Sequence, residues 1–298
     1  MIILGADIGG TSSRVVLYDG DTERARAEGV GFPMRSGKGD QLATLIADLG
    51  RPLLMRGRTV RADALVVGAA GAGRETEREE LHGALERQRL AWRVIVTTDA
   101  ELARAAAFAG APGVLLIAGT GSIAVARDVR GNSKRVGGLG WRMGDQGSAY
   151  WLGAHALEAV GAMHDGLGDV THLAESLCVA ASVAGIAALV RWSTTATPAE
   201  VAALGPAVLQ CADNGDRVAA ALRDAAVEAL AGLAMAAGGG LLPIAMSGGL
   251  LAPGRPLRER VAAALETRHH ATVIQRAIDP CRGAPVLAQE MRDERRET

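Results

Sequence analysis

The sequence predicts an α/β protein built from two similar domains, and three observations lead to this prediction. The chain has 298 residues, which is enough for two domains of ordinary size. Two segments, Ile2 to Gly20 and Val114 to Gly131, share a pattern of strand, glycine turn and return strand. Each is followed by alternating helical and strand patterns, which are typical of α/β layers. We expect a first domain over 1–110, a larger second domain with helical additions over 111–283, and a helix over 284–298 that packs back on the first domain.

The first half contains short apolar strands separated by charged, amphipathic helical segments. Leu65 to Val67 and Val94 to Val96 are apolar and bounded by turn residues, which indicates buried strands. Glu75 to Leu90 has the spacing of an amphipathic helix. A further helix is predicted over Ala100 to Ala109, because Thr98-Asp99-Ala100-Glu101 has the spacing of a capping box.

The second half is dominated by helical patterns. Thr197-Pro198-Ala199-Glu200 combines a capping threonine, proline at the first helical position and a glutamate three residues after the cap, so a helix should begin there. The predicted helices are Ser148 to Val160, Leu173 to Trp192, Pro198 to Ala212, Arg217 to Ala237 and Leu257 to Thr267, and the predicted later strands are Ile244 to Ser247 and Ala271 to Ile274.

Composition and charge exclude several classes of function. The formal net charge is −1, so the chain has no excess of positive charge that would attract the phosphate backbone of a nucleic acid. The aromatic residues number only 4 Trp, 2 Tyr and 2 Phe, which leaves few side chains for stacking on bases. Three widely spaced cysteines form neither a disulfide framework nor a C-x-x-C site, which favours a reducing compartment. The uncharged stretch Ala229 to Met246 is interrupted by Gly238-Gly239-Gly240 and Pro243, which indicates core rather than a membrane span. We expect a cytoplasmic protein that binds neither nucleic acid nor membrane.

Two common nucleotide motifs do not fit the sequence. A P-loop requires G-x-x-x-x-G-K-[ST], and Gly31 to Lys38 has the wrong spacing and is followed by Gly39. Gly119-x-Gly121-x-x-Ala124 matches a loose dinucleotide fingerprint, but that motif needs a helix directly after the glycines. Here Ser122 to Ala126 alternates like a strand, so a Rossmann oxidoreductase is not favoured.

The two glycine turns, Gly9-Gly10-Thr11-Ser12 and Gly119-Thr120-Gly121-Ser122, offer another way to hold phosphates. Glycine allows backbone N–H groups to approach a ligand closely, and the hydroxyls add donors. Asp7, at the end of an apolar strand, suits a Mg²⁺-phosphate role because a buried carboxylate is costly without a cation. The alternative is that Asp7 closes an ordinary turn and that both glycine sets only make tight hairpins.

Two further carboxylates have both a structural and a functional interpretation. Asp99 opens a predicted helix, where it either contributes helix N-terminal charge or is held ionised to accept the proton of a substrate hydroxyl. Asp145 lies in the glycine-rich loop Gly137 to Ser148, where it is either a helix N-cap or a ligand for sugar hydroxyls. Ser247-Gly248-Gly249 follows an apolar strand, where the backbone could lie against a flat ring.

Taken in order, these motifs resemble the N-acetylglucosamine and glucosamine kinases of the BadF/BadG/BcrA/BcrD ATPase family. The resemblance covers nearly the whole chain and extends to Arg191-Trp192-Ser193, Thr197-Pro198, Asp279-Pro280 and Arg282-Gly283-Ala284. The motifs that carry it are Asp7-Ile8-Gly9-Gly10-Thr11, Thr97-Thr98-Asp99-Ala100, Gly119-Thr120-Gly121-Ser122, Gly137-Gly138 with Gly144-Asp145-Gln146-Gly147-Ser148, and Ser247-Gly248-Gly249.

The resemblance implies the actin-like ATPase fold, with two ribonuclease-H-like domains around an ATP and sugar cleft. It implies an ATP-dependent hexosamine kinase that transfers the γ-phosphoryl group to the 6-hydroxyl of N-acetylglucosamine or glucosamine. Asp99 would be the catalytic base, and Asp7 would act on Mg²⁺. The sugar would be contacted by Asp99, Ser122, Gly138 and Asp145, and ATP by Gly9, Gly10, Thr11, Ser12, Gly119, Thr120, Gly121, Gly248 and Gly249. We expect a homodimer whose partner is a small-molecule amino sugar.

Departures from the family pattern leave the choice of amino sugar open. The acetylglucosamine kinases of the family carry a Thr-Asn or Ala-Asn pair where this chain has Gly31 to Arg35, and they tend to have Asn where Ile123 stands. Gln146 replaces a common Glu and is closer to the glucosamine kinases.

Two other functions remain as alternatives. An ATPase activator of the 2-hydroxyacyl-CoA dehydratase or benzoyl-CoA reductase type would hold an iron–sulfur cluster through cysteines near the phosphate loops, and Cys178, Cys211 and Cys281 are distant from those loops in sequence. A non-catalytic sugar-binding regulator would have a damaged catalytic acid, whereas Asp99 is present.

Overall fold

The computed structural model describes residues 1–10 and 12–297, with side chains described up to residue 293. The chain divides into two compact units, of which the first comprises Met1–Pro112 and the C-terminal segment from Ile278, and the second comprises Gly113–Ala277. Over the described residues the strands are β1 (Ile2–Ile8), β2 (Ser12–Asp19), β3 (Thr22–Val30), β4 (Ala64–Ala69), β5 (Val94–Thr97), β6 (Gly113–Ala118), β7 (Ser122–Arg127), β8 (Ser133–Gly137), β9 (Ile244–Ser247) and β10 (Val273–Ile274). The helices are α1 (Gly39–Arg56), α2 (Glu75–Gln88), α3 (Asp99–Phe108), α4 (Ala149–His164), α5 (Leu173–Ala180), α6 (Ile186–Ser193), α7 (Pro198–Ala202), α8 (Gly205–Asp213), α9 (Arg217–Ala234), α10 (Pro256–His269) and α11 (Gly283–Glu297).

Each unit is built on one five-stranded sheet within the described chain, and the two sheets have the same topology. The first runs β3-β2-β1-β4-β5 and the second β8-β7-β6-β9-β10. In each sheet the first three strands of the unit pair antiparallel, and the last two join in parallel. The duplicated hairpin seen in the sequence is therefore confirmed, and it lies at the same place in both sheets.

Helices cover both faces of the first sheet. On one face α1 and α2 form a core with β1 and β4, which includes Leu42, Ile46 and Leu81. On the other face α3 and α11 pack on the same strands through Leu102 and Ala284. Strand β4 is buried along its whole length, as expected for a parallel strand that is covered on both faces.

The C-terminal segment joins the first unit a few residues earlier than the sequence suggested. Residues 278–283 were expected to end the second domain, but the structure places Pro280–Arg282 in a short 3₁₀ turn that packs against α3 and β1. Cys281 is fully buried in the core between β1, α3 and α11. Burial of the Cys281 side chain stabilises the attachment of this turn to the first unit.

The second unit has more helices than the sequence predicted, because two long helical patterns are broken. The pattern from Leu173 to Trp192 divides into α5 and α6, since Ser182 and Gly185 both have positive φ (56° and 77°). The pattern from Pro198 to Ala212 divides into α7 and α8, because Pro206 has no N–H to bond the preceding turn. The capping box of Thr197 and Glu200 is confirmed.

The uncharged stretch Ala229 to Met246 lies in the core, as predicted. Helix α9 ends at Ala234, a π-helical turn follows over Met235–Gly239, and β9 then enters the sheet. Among the residues described, none of the helices combines the length and the apolar character that crossing a bilayer requires.

Candidate functional site

The carboxyl edge of the first sheet gathers Asp7 and Asp99. Asp7 pairs in register with Gly68 of β4, and Gly68 pairs with Thr97 of β5. Asp99 follows two residues later as the first residue of α3. Because β1, β4 and β5 are parallel, their carboxyl ends lie on the same edge, which is where open α/β sheets bind ligands.

The surroundings of Asp7 make its negative charge costly. Its pKa is raised from 3.8 to about 6, chiefly because burial removes water and secondarily because the Asp99 carboxylate lies near. Arg14, directly opposite on β2, lowers the pKa, whereas the Asp279 carboxylate raises it. Burial and the neighbouring carboxylates therefore disfavour the charged form of Asp7, and an added cation would favour it.

The first turn of α3 fixes the position of Asp99. Thr98 caps the helix, since its hydroxyl accepts a hydrogen bond from the Glu101 N–H (3.1 Å). The Oδ1 of Asp99 accepts one from the Ala100 N–H (2.9 Å). A capping box also needs a hydrogen bond from the Thr98 N–H to the Glu101 carboxylate. This part of the prediction is wrong, because the Glu101 carboxylate pairs instead with the fully buried Arg104 (2.7 Å).

A set of hydrogen bonds and ion pairs around Asp279, which lies near Asp7, was not predicted from the sequence. Asp279 caps the short turn before α11 by accepting the Cys281 N–H (3.2 Å), and it is ion-paired with Arg26 of β3. Arg26 also donates to both carboxylate oxygens of Glu23 (2.9 Å each). The Asp279-Pro280 dipeptide is a recognisable turn signal, but only the fold shows that it lies near Asp7.

Cys281 also lies close to Asp7, although the two are far apart in sequence. Burial is the main cause that raises the pKa of the thiol to about 12, and the Asp7 and Asp279 carboxylates add to it. A thiol of this kind stays protonated at neutral pH, so it is a poor ligand for a metal or a cluster.

The turn between β1 and β2 holds four predicted ATP residues. The Gly9 N–H donates to the Ser12 carbonyl (2.9 Å), which closes the turn, and Ser12 begins β2 with an exposed side chain. Thr11 lies outside the described residues. A Cβ atom at Gly10 would meet nothing within 4 Å, and Gly10 does not have positive φ, so the fold itself does not require glycine there.

In the second unit, Asp145 is brought to the turn between β6 and β7. Its Oδ1 accepts a hydrogen bond from the Ser122 N–H (3.2 Å). A Cβ atom built on Gly121 would lie 2.8 Å from the same Oδ1. Burial raises the pKa of Asp145, and the bond from Ser122 opposes the rise. The N-cap interpretation of Asp145 is wrong, because Ser148 caps α4 by accepting the Trp151 N–H (3.1 Å).

Three of the predicted sugar residues therefore lie together in this unit. The Gly138 N–H donates to the Ser122 carbonyl (2.9 Å), and the Ser122 hydroxyl donates to the Gln146 carbonyl (2.7 Å). Asp145 completes the group through its bond with Ser122. Asp145 has positive φ (61°), a conformation that is uncommon for residues other than glycine and that tight functional loops often contain.

A cavity of about 510 Å³ opens beside the same turn. Its lining includes Gly119, Thr120 and Gly249, together with apolar side chains of α8 and α10. Its polar side chains include Asp213 of α8, which lies 3.6 Å from the guanidinium of Arg223, and Arg255. The volume and the mixed lining are those of a small-molecule pocket.

Gly248, the neighbour of Gly249, has a structural role that the sequence did not indicate. Its φ is 95°, and a Cβ atom there would lie 2.3 Å from the Ala118 carbonyl oxygen. Gly249, in contrast, would accept a Cβ without contact. Gly248 thus lets the end of β9 approach β6, while Gly249 faces the cavity.

Comparisons with known proteins show which family the chain belongs to. A model of the BadF/BadG/BcrA/BcrD ATPase family matches residues 4–288. The chain is 36% identical over 110 residues to the N-acetylmuramic acid/N-acetylglucosamine kinase of Clostridium acetobutylicum, and 31% identical over 153 residues to the glucosamine kinase of Vibrio cholerae. These matches cover 37% and 51% of this chain, and they span only 36% and 51% of the two relatives.

The crystal structure of a proposed N-acetylglucosamine kinase from Chromobacterium violaceum is similar over almost the whole length. Its TM-score is 0.79 at 28% identity, and the similarity covers 96% of this chain and 98% of that one. The predicted fold class, two ribonuclease-H-like α/β domains, is confirmed by this similarity and by the two matching sheets.

Proposed function

Because the chain belongs to the BadF/BadG/BcrA/BcrD ATPase family, we propose that it is an ATP-dependent amino-sugar kinase. It would transfer the γ-phosphoryl group of ATP to the 6-hydroxyl of a hexosamine such as N-acetylglucosamine or glucosamine. The names of the Clostridium and Vibrio relatives support a sugar substrate. The observation that carries the proposal is the pair of carboxylates, Asp7 and Asp99, at one sheet edge.

Glycines that the fold does not require support phosphate binding. Gly10, Gly119 and Gly249 lack positive φ, and a Cβ at each would have at least ordinary contact distance to every neighbour. Glycine at such positions is explained if a ligand must approach the backbone N–H groups. We propose that Gly9, Gly10, Thr11 and Ser12 of the first unit, and Gly119, Thr120 and Gly121 of the second, contact the ATP phosphates. Gly249 and the cavity beside it would receive the nucleoside, with Gly248 holding the strand end in place.

Asp7 fits a role in Mg²⁺ binding. Its carboxylate is a hard oxygen donor with an unfavourable negative environment, which a divalent cation would relieve. Within the described residues no three histidine, cysteine or carboxylate side chains form a preformed metal site. This agrees with the usual protein sites for Mg²⁺, in which one or two carboxylates and the substrate phosphates hold the ion. When bound, Mg²⁺ would neutralise charge on the phosphates.

Asp99 would act as the general base. The 6-hydroxyl oxygen of the sugar forms a bond to the γ-phosphorus while the bond from that phosphorus to the β–γ bridging oxygen breaks. Asp99 accepts the hydroxyl proton, and the bond from the Ala100 N–H keeps its other oxygen in a fixed orientation. Ser122, Gly138 and Asp145 would hold the sugar hydroxyls, since a carboxylate and a carbonyl accept the hydrogens that a sugar donates.

A coupled assay of ADP release tests the proposal. Mg-ATP is offered with glucosamine, N-acetylglucosamine, N-acetylmuramic acid, glucose or no sugar. Turnover that depends on an amino sugar supports the kinase, and the ratio of kcat/KM values ranks the substrates. ADP release that does not depend on sugar would instead indicate an ATPase activator. Sugar binding without turnover would indicate a non-catalytic regulator.

A further inference from the structure

Five residues form one row across the first sheet, near the edge at which β1 ends. Asp7 of β1 pairs in register with Arg14 of β2 on one side and with Gly68 of β4 on the other. Arg14 pairs in turn with Glu28 of β3, and Gly68 with Thr97 of β5. Residues directly opposite each other on neighbouring strands point to the same face of the sheet. The register therefore places the side chain of Arg14 beside that of Asp7.

The row lies on the face of the sheet that α3 and α11 cover. Val16 and Tyr18 follow Arg14 by two and four residues on β2, and both pack in the core with α3 and α11. Side chains alternate between the two faces along a strand, so Arg14 points to the same face. Asp99 begins α3, and its carboxylate raises the pKa of Asp7, whereas the Arg14 guanidinium lowers it. Arg14 and Asp99 thus both lie close enough to Asp7 to act on its charge.

The guanidinium of Arg14 is only loosely held by the protein. Its Nε lies 3.7 Å from the Oε1 of Glu28, a distance longer than a hydrogen bond. The Glu28 side chain is 68% exposed and that of Arg14 is 39% exposed, so water weakens this ion pair. Within the described residues the guanidinium makes no hydrogen bond, and its N–H donors are therefore available to an acceptor that enters from solvent.

A phosphoryl group that approaches Asp7 and Asp99 needs positive charge near it. Both carboxylates repel the charged oxygens of such a group, and Mg²⁺ at Asp7 would offset only part of this repulsion. Arg14 is the basic residue in the row. A guanidinium suits the task, because its planar fork of N–H groups matches the spacing of phosphate oxygens.

We propose that Arg14 is a catalytic residue of the kinase, which donates hydrogen bonds to the non-bridging oxygens of the γ-phosphoryl group during its transfer. This inference rests on the proposed kinase function. The sugar 6-oxygen forms its bond to the phosphorus, the bond to the β–γ bridging oxygen breaks, and ADP keeps that electron pair. The hydroxyl proton passes to Asp99. The non-bridging oxygens stay negatively charged throughout, so a donor already in place beside them lowers the barrier.

Calorimetric titration with three nucleotides tests the contact without any turnover. AMP, ADP and the non-hydrolysable ATP analogue AMPPNP differ in their number of phosphates. Arg14→Gln should weaken the binding of AMPPNP at least about tenfold, the effect of losing one charged hydrogen bond, and should change the binding of AMP and ADP less than about twofold. The difference should persist in EDTA, which excludes an indirect effect through a metal at Asp7. Equal weakening of ADP and AMPPNP, or no weakening at all, overturns the inference.

Turnover measures the contribution of Arg14 to the transfer itself. In the ADP-release assay with the preferred sugar, Arg14→Gln should lower kcat by about two orders of magnitude, while the KM for the sugar changes less than about threefold. Arg14→Lys keeps the charge but loses the planar fork, so it should recover part of kcat. An unchanged kcat in Arg14→Gln refutes the catalytic role, even if that variant binds AMPPNP weakly.

Arg24→Gln is the matched control. Arg24 of β3 also pairs with a carboxylate, that of Asp19 (3.0 Å), but Asp19 lies opposite Ile2, at the other end of β1 from Asp7. This variant should bind all three nucleotides and turn over as the wild type does.

The inference and the proposed function fail in different ways. If no sugar supports ADP release, the kinase proposal fails, while a selective loss of AMPPNP affinity in Arg14→Gln still supports the contact between Arg14 and the terminal phosphate. If an amino sugar supports ADP release and Arg14→Gln changes neither kcat nor AMPPNP binding, only the inference fails.

Discussion

Replacing Asp7 with asparagine should stabilise the metal-free protein at neutral pH, although it removes a proposed metal ligand. The pKa of Asp7 is raised from 3.8 to about 6, so the folded protein holds the proton more tightly than the unfolded chain does. Between these two pH values the folded state binds more protons, and stability falls as the pH rises. Below pH 3.8 the carboxyl group is mostly neutral in both states and hardly affects the free energy of unfolding. Above pH 6 the full cost is present.

The magnitude follows from the size of the shift. Two pKa units correspond to about 3 kcal/mol at pH 8, and the cost shrinks to about 0.5 kcal/mol at pH 4. Asp7→Asn removes this cost, so its gain in the free energy of unfolding should grow with pH over that range. In a chain of this size the gain at pH 8 is about 5 to 10 °C in the apparent unfolding midpoint.

Thermal unfolding followed by circular dichroism in EDTA, from pH 4 to pH 8, measures this gain. Asp48→Asn is the matched control, because Asp48 is exposed on α1, and its change should stay below about 0.5 kcal/mol at every pH. Millimolar Mg²⁺ with ADP should stabilise the wild type and have much less effect on Asp7→Asn. A variant that is less stable than the wild type at pH 8 in EDTA, or a gain that does not vary with pH, would refute the reasoning.

Three further outcomes are expected. Asp99→Asn should lower kcat by about two orders of magnitude or more with almost unchanged ATP affinity, measured by ADP release and by nucleotide titration, and near-normal turnover would exclude Asp99 as the base. Asp145→Ala should mainly raise the KM for the sugar, and an unchanged KM would leave it only a structural role at Ser122. Gly248→Ala should lower the free energy of unfolding by about 2 kcal/mol or more, because the added Cβ meets the Ala118 carbonyl oxygen. Gly10→Ala should leave the free energy of unfolding unchanged and raise the KM for ATP. Equal losses of stability in the two variants would contradict this difference between the two glycines.

Much of the fold could be predicted because its signals are local. The apolar runs of β1, β4, β6 and β9 end at glycines or turn residues, and such short runs are read without knowledge of distant contacts. The duplication of the hairpin was equally visible, since the same residue types recur in the same order. They also bring two of the predicted site residues, Asp7 and Asp99, to one edge of the first sheet, because the carboxyl ends of parallel strands collect the polar residues that follow them.

Other elements escaped prediction because their local signals conflict with their structure. Strand β3 is rich in charge and only partly buried, as an exposed edge strand can be. Helix α1 contains Pro52, which usually ends a helix but here leaves α1 continuous from Gly39 to Arg56. Strand β8 is exposed for most of its length, so it lacks the alternation of buried and exposed residues that marks a strand. In each case pairing with a neighbouring strand or packing on the sheet outweighs the local preference.

The glycines show what sequence reasoning could not distinguish among the predicted site residues. In the sequence, Gly248 and Gly249 are equivalent, and so are Gly119 and Gly121. The structure separates them. A Cβ at Gly248 would meet the Ala118 carbonyl oxygen and one at Gly121 would meet the Asp145 carboxylate, whereas Gly119 and Gly249 have room for a side chain. A glycine that the fold requires carries no information about ligands. Of these four glycines, the two that have room for a side chain both line the same cavity, and this coincidence is a stronger argument for a ligand than the glycine motifs themselves.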